Sequence, residues 1–102
     1  MSMIESFETM LARGKDNPLL RFSLGNAYLK AGVIDKATMH LRAAVVQDEN
    51  YSAAWKLLGK ALSLSSDVVG AKGAYLQGIA AANAKGDKQT AKEIAVFLRR
   101  LE

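Results

Sequence analysis

The side chains that could perform acid–base or nucleophilic chemistry are few in this sequence, and they form no reactive pattern. The one histidine, His40, lies near Arg42, and we expect it to face solvent or a groove without a partner. Ser63, Ser65 and Ser66 lie near the predicted end of a helix with no neighbouring histidine to act as a base. General acid–base catalysis needs a paired group whose environment tunes its pKa. We therefore predict no catalytic residue and no enzyme activity.

Metal and cofactor sites are not predicted either. The sequence has no cysteine and a single histidine, so it lacks the ligand clusters that zinc requires. Helix capping and the helix dipole explain the acidic residues at predicted helix starts or turns, namely Asp16, Asp35, Asp48, Glu49, Asp67 and Asp87. No phosphate-binding glycine motif follows a strand. We expect no metal and no cofactor.

Composition favours one folded domain spanning residues 1–102. Half of the residues are apolar and 24% are charged, which is ordinary for a globular protein. The N-terminus does not resemble a secretory signal, and no segment has the 18 consecutive apolar residues that a membrane span needs. We expect a cytoplasmic protein that does not enter membranes. The net charge of +4 favours acidic partners weakly.

A 34-residue period organises the middle of the chain, as in helical repeat arrays. Aligning residues 17–50 with residues 51–84 gives the identical pairs Leu24/Leu58, Gly25/Gly59, Ala27/Ala61 and Ala37/Ala71. The same register places Phe7, Met10 and Leu11 34 residues before Leu41, Ala44 and Val45. Residues 3–13 are therefore interpreted as the second helix of a degenerate preceding repeat.

The aligned residues resemble the tetratricopeptide repeat family, whose units carry Trp-x-x-Leu-Gly-x-x-Tyr and then Ala-x-x-x-Phe. The matching residues are Leu24, Gly25, Tyr28 and Ala37 in the first unit and Trp55, Leu58, Gly59, Ala71 and Tyr75 in the second. Arg21 replaces the first tryptophan, and Leu62 replaces the second tyrosine. The resemblance implies an all-α fold of about six helices, in antiparallel pairs stacked as a short right-handed superhelix.

Four segments follow from this register. A capping helix in residues 1–16 precedes the repeats at 17–50 and 51–84, and a second capping helix occupies residues 85–102. The last segment has apolar residues at helical spacing, namely Ala91, Ile94, Ala95, Leu98 and Leu101. We interpret it as similar to the turn and second helix of a further repeat.

Local signals predict where the helices begin and end. Asn17 is expected to cap a helix that starts at Pro18, and Gly32 is expected to end it in a left-handed conformation. Asn50 is expected to cap a helix over about 51–65, and Asp67 the helix that runs to about Ala84.

Glycines inside predicted helices need a reason, because each costs roughly 1 kcal/mol relative to alanine. For Gly25 and Gly59 we predict close packing of the two helices of a repeat, with Ala37 and Ala71 opposite the glycines. Three further glycines fall in the segment 67–84, namely Gly70, Gly73 and Gly78. They allow either close contact with neighbouring helices or a flexible, self-associating surface.

The family resemblance implies a concave groove lined by the first helix of each repeat. Its lining positions fall on Phe22, Asn26, Leu29 and Lys30 in the first unit and on Lys56, Lys60 and Ser63 in the second. Asn26, Lys56 and Lys60 could hold carboxylates of an acidic peptide, although the lysines could equally be a solvated helix face.

Three classes of function remain open. We predict an adaptor that binds a protein or peptide in this groove. The alternative is a self-assembling structural module, because two repeats leave much of their stacking surface uncovered, and a homo-oligomer would then be expected. A nucleic-acid binder is suggested only by the basic net charge, and no nucleic-acid-binding motif is present.

Overall fold

The computed structural model describes residues 2–101, which form six α-helices and no strand. The helices are α1 Met3–Ala12, α2 Pro18–Lys30, α3 Ile34–Gln47, α4 Ser52–Leu64, α5 Val68–Ala84 and α6 Lys88–Arg100. The all-α fold predicted from the sequence is confirmed. The pair α2 and α3 lies within residues 17–50, and the pair α4 and α5 lies within residues 51–84.

Side-chain caps begin four of the helices. Asn17 accepts a hydrogen bond from the Leu20 amide at 2.8 Å, and Pro18 occupies the first turn of α2, as expected. Asp67 and Asp87 cap α5 and α6 in the same way, and Ser2 caps α1. The prediction for Asn50 is wrong. The residue before α4 is Tyr51, and its side chain caps nothing. The backbone N–H of Asn50 donates to Asp48 Oδ1 at 3.0 Å.

Each helix packs against the next one along the chain, and two further contacts link α2 with α4 and α4 with α6. The helices α2, α4 and α6 therefore form a row of first helices, and α1, α3 and α5 are second helices. The interpretation of the last segment as a second helix is wrong, because α6 follows α5 and contacts α4 as α4 contacts α2.

Gly25 and Gly59 allow first and second helices to approach closely, but the side chains nearest to them are Leu41 and Tyr75, not the predicted alanines. A Cβ added to Gly25 would lie 2.5 Å from Leu41 Cγ, and one added to Gly59 would overlap the ring of Tyr75. Leu41 and Tyr75 are fully or almost fully buried, so each inserts a large side chain against a glycine.

The three glycines of α5 differ in their surroundings. An added Cβ at Gly78 would lie 3.0 Å from both Ile94 Cδ1 and Trp55 Cβ, so this glycine is closely packed. At Gly70 the nearest atoms belong to the capping carboxylate of Asp67. Gly73 has no such neighbour within 4 Å. The close-contact interpretation therefore holds for Gly78, whereas Gly73 lies on an open surface of α5.

Candidate functional site

The predicted groove residues all lie on the first helices α2 and α4, but the structure divides them into two groups. Phe22, Asn26 and Lys30 line a groove toward the N-terminus, whereas Lys56 and Lys60 face α6. Leu29 packs against the hydrophobic core. Ser63 is half-buried near the end of α4.

The N-terminal groove runs between α1 and α2 and encloses about 500 Å³. Met3, Ile4 and Phe7 form its α1 side. Its α2 side consists of Phe22, Ser23, Asn26, Ala27, Lys30 and Ala31. The lining is largely apolar. The exposed Lys30 lies at the end of the groove that Ser2, the cap of α1, also lines.

A basic aromatic patch, made of Lys56, Lys60, Phe97 and Arg100, occupies the other end of the first-helix row. The ammonium groups of Lys56 and Lys60 lie 5.3 and 5.1 Å from the centre of the Phe97 ring, and the Arg100 guanidinium lies 5.3 Å from it. Lys56 also lies 3.6 Å from the Glu93 carboxylate, and both partners are partly exposed. The patch thus collects three cations around one ring, each within the distance of a cation–π contact.

Between these two groups, Phe22 of α2 stacks on Tyr51 at the start of α4, with ring centres 5.0 Å apart. Both rings are half-buried. Burial, with the charge of Asp48 as a smaller cause, raises the pKa of the Tyr51 hydroxyl, so the ring stays neutral at ordinary pH. An aromatic pair therefore links Phe22 of the N-terminal groove with the start of α4, the helix that carries Lys56 and Lys60.

His40 is not on the surface, which corrects the expectation from the sequence. Its side chain is 2% exposed and stacks on Tyr28 with ring centres 5.6 Å apart. Arg21 Nη1 lies 3.1 Å from His40 Nδ1. Because a guanidinium can only donate, Nδ1 must accept, and the neutral ring carries its hydrogen on Nε2. Burial lowers the pKa of His40 and favours this neutral form.

The contacts of Arg21 and His40 extend to α1 and to the turn before α2. Arg21 donates two hydrogen bonds to the Asp16 carboxylate, at 2.8 and 2.9 Å, and Gln47 donates a third at 2.8 Å. These bonds hold the pKa of Asp16 well below its usual range. His40 Nε2 has no hydrogen-bond partner among the described residues, and Glu8 Oε1 lies 3.8 Å away.

Comparison with known proteins identifies the family. No protein-family model matches the chain. A tetratricopeptide repeat-containing protein of Pseudomonas aeruginosa is 55% identical over 100 residues, which cover 98% of this chain and 95% of the relative. The chain belongs to the tetratricopeptide repeat family. Its repeat signature and its helix order agree with that assignment.

Two solved structures are similar to this tetratricopeptide repeat protein. The solution structure of a Bordetella parapertussis protein has a TM-score of 0.84 at 50% identity, and the match covers 99% of this chain and 88% of that one. The tetratricopeptide domain of Sgt2 from Aspergillus fumigatus has a TM-score of 0.74 at 31% identity and covers 94% and 68%. Both support the same arrangement of helices.

Within the tetratricopeptide pattern, Arg21 stands where the first unit would carry its tryptophan. The carboxylates of Asp16 and Glu8 approach Arg21 and His40, respectively, and do not converge on a metal position. In residues 2–101 no group of three or more His, Asp or Glu side chains is arranged to hold a metal ion. None of the described helices is long and apolar enough to span a bilayer.

Proposed function

We propose that this tetratricopeptide repeat protein is a non-enzymatic adaptor that binds an acidic peptide or protein segment along its first helices. Membership of a family of protein interaction modules supports the general role. The observation that carries the acidic specificity is the basic aromatic patch. There, three cations from α4 and α6 lie beside the half-exposed ring of Phe97.

The patch suits carboxylates for a physical reason. The stems of Lys56 and Lys60 are partly buried against α6, so binding a carboxylate would cost less side-chain entropy than it would at a free lysine. Charge-assisted hydrogen bonds from these ammonium groups are stronger than bonds between neutral groups. Lys60 forms no salt bridge with any of residues 2–101, so its charge is available to an acidic partner.

The same row of helices offers contacts for apolar side chains. Phe22 and Tyr51 form an aromatic pair between α2 and the start of α4, and Asn26 lies one turn further along α2. An extended segment that carries acidic residues at one end and an aliphatic or aromatic residue near the middle would match this order. The side-chain amide of Asn26 could form hydrogen bonds with the backbone of the bound segment.

Binding of fluorescein-labelled 12-residue peptides that vary in Asp, Glu, Leu and Phe content tests the proposal. We expect acidic peptides to bind and Lys60→Glu to weaken their binding at least about tenfold, because attraction becomes repulsion at the patch. Lys72→Glu on α5 is the matched control, since it changes the net charge equally on a second helix. Equal affinity of both variants for every peptide would refute the patch model.

A self-assembling module is the second candidate, favoured by exposed apolar side chains on the second helices. Met39 and Val46 of α3 are 54% and 80% exposed, and Val69 and Leu76 of α5 are 84% and 56% exposed. The mass from light scattering, measured over a range of concentrations, separates a monomer from an assembly. Tight binding of DNA or RNA at low salt, where phosphate contacts are strongest, would instead favour a nucleic-acid role for the basic surface.

A further inference from the structure

Each of the two repeats packs a large side chain of its second helix against a glycine of its first helix. Helix α1 supplies only the large side chain of such a pair. In the first repeat Leu41 of α3 inserts against Gly25 of α2, and in the second Tyr75 of α5 inserts against Gly59 of α4. Phe7 of α1 stands 34 residues before Leu41 and so takes the same place on a second helix. In the described chain, however, no first helix precedes α1.

The place of that first helix is the N-terminal groove. A first helix packs against its own second helix and against the next first helix, as α2 packs against α3 and α4. The corresponding neighbours here would be α1 and α2, which form the two walls of the groove. In the described chain α1 packs mainly against α2, and Met3 is 67% exposed.

The opposite end of the row is closed to a further helix. The outward face of α6 carries the exposed charged residues Lys88, Lys92 and Arg99, while its apolar face with Ile94 is buried. Charged outer faces are typical of capping helices in repeat proteins. The stacking surface left apolar therefore lies at the N-terminal end, which argues against head-to-tail association through α6.

We propose that the N-terminal groove binds an amphipathic helix of a partner protein, which takes the place that a first helix would occupy beside α1 and α2. This inference rests on the proposed adaptor function and names the kind of partner. By analogy with α2 and α3, the guest helix runs antiparallel to α1 and in the direction of α2. Its apolar face carries a small residue, glycine or alanine, opposite Phe7.

The charge of Lys30 agrees with this orientation of the guest. Its C-terminal end lies near Ser2 and Lys30, which line one end of the groove. The C-terminus of a helix is the negative end of its dipole, so Lys30 and the start of α1 attract it, and acidic residues in its last turn add to the attraction. The ten residues of α1 span about 15 Å, enough to cover about three turns of the guest.

The test uses a helix that already fits such a place, the chain's own α2. A fluorescein-labelled peptide of residues 16–32 is titrated with the full-length protein and followed by fluorescence anisotropy. Its Gly25 would face Phe7, so a peptide with Gly25→Leu should bind at least about tenfold more weakly. A peptide with Lys30→Glu should bind several-fold more tightly, and added salt should remove that gain.

Two protein variants locate the binding. Met3→Glu places a charge in the groove and should weaken binding at least about tenfold. Met39→Glu is its matched control, because Met39 is a similarly exposed methionine on α3, outside the groove, and it should leave binding unchanged. The proposal would be overturned if neither Met3→Glu in the protein nor Gly25→Leu in the peptide changed the affinity, or if the peptide did not bind at all. It would also be overturned if the wild-type protein formed an oligomer that Met3→Glu dissociates, since a second copy would then cover the groove.

These results are separable from those for the proposed function. Lys60→Glu should leave the helical peptide bound, whereas it should release acidic peptides. Acidic peptides that bind in a Lys60-dependent way, together with a helical peptide that does not bind, would overturn the groove inference alone.

Discussion

The two glycines Gly59 and Gly73 should respond to the same substitution with opposite signs. Both lie in helix interiors, Gly59 in α4 and Gly73 in α5. Replacing either with alanine removes the conformational cost of glycine, a gain of about 1 kcal/mol in the helix. The difference between them comes only from what the added methyl group meets.

At Gly73 the methyl group meets nothing within 4 Å, so the gain remains, and Gly73→Ala should stabilise the protein by about 0.5–1 kcal/mol. At Gly59 it overlaps three atoms of the Tyr75 ring. That ring is 2% exposed and stacks on Phe97 at 6.0 Å, so it has little room to move. Overpacking of this kind costs about 3 kcal/mol at the upper end of the usual range, which leaves Gly59→Ala destabilised by about 2 kcal/mol.

Thermal unfolding followed by circular dichroism at 222 nm measures both effects. In a domain of this size 1 kcal/mol corresponds to about 4–8 °C in Tm, so the two variants should differ by more than 10 °C, as roughly estimated from these values. Urea titrations give the free energies directly and show whether the slope of the transition is unchanged. A Gly59→Ala protein as stable as the wild type would show that the close approach of α4 to Tyr75 is not required. A destabilised Gly73→Ala protein would show that α5 packs against something on its outer face.

Three further predictions concern pH, capping and the last helix. Burial lowers the pKa of His40 below its unfolded value of about 6.5, so stability that is full above that pH should decline as the pH falls through the folded-state pKa. In urea titrations from pH 8 to pH 5, His40→Gln should flatten this decline, and an unchanged slope would contradict the assignment. Asp67→Ala should cost about 1 kcal/mol of unfolding free energy, because the carboxylate caps α5. Asn50→Ala should cost much less in the same assay, and equal losses would contradict the assignment of the caps. Ile94→Ala should cost about 2–5 kcal/mol, because this fully buried side chain ties α6 to the core, and a loss below 1 kcal/mol would mean that α6 is not part of the cooperative fold.

The fold was predictable where a local signal and the repeat agree. Asn17 with Pro18 marked the start of α2, and the cap at Asp67 marked the start of α5, because these signals act on neighbouring backbone groups. The cap assigned to Asn50 failed because α4 begins one residue later than predicted, so the cap position falls on Tyr51, whose side chain makes no capping hydrogen bond.

The surroundings of the candidate site were less predictable, because they depend on residues far apart in the sequence. The residues chosen on α4 followed from the repeat pattern, but nothing local indicated that Phe97 would lie against Lys56 and Lys60. The amphipathic pattern of α6 shows which of its residues are apolar, and it does not say which helix they meet. His40 was misplaced for the same reason, since its partner Arg21 is nineteen residues away.

Arg21 and His40 also help to hold α1 against the first repeat. A tryptophan at the position of Arg21 would fill the space with apolar surface, whereas the guanidinium needs hydrogen-bond acceptors, and Asp16 and His40 provide them. His40 is then held against Tyr28, whose hydroxyl donates to Glu8 of α1 at 3.0 Å. These contacts fasten α1 to α2 by polar bonds as well as by the packing of Phe7. The walls of the N-terminal groove are therefore fixed relative to each other before any helix enters it, which reduces the ordering cost that a partner would otherwise bear.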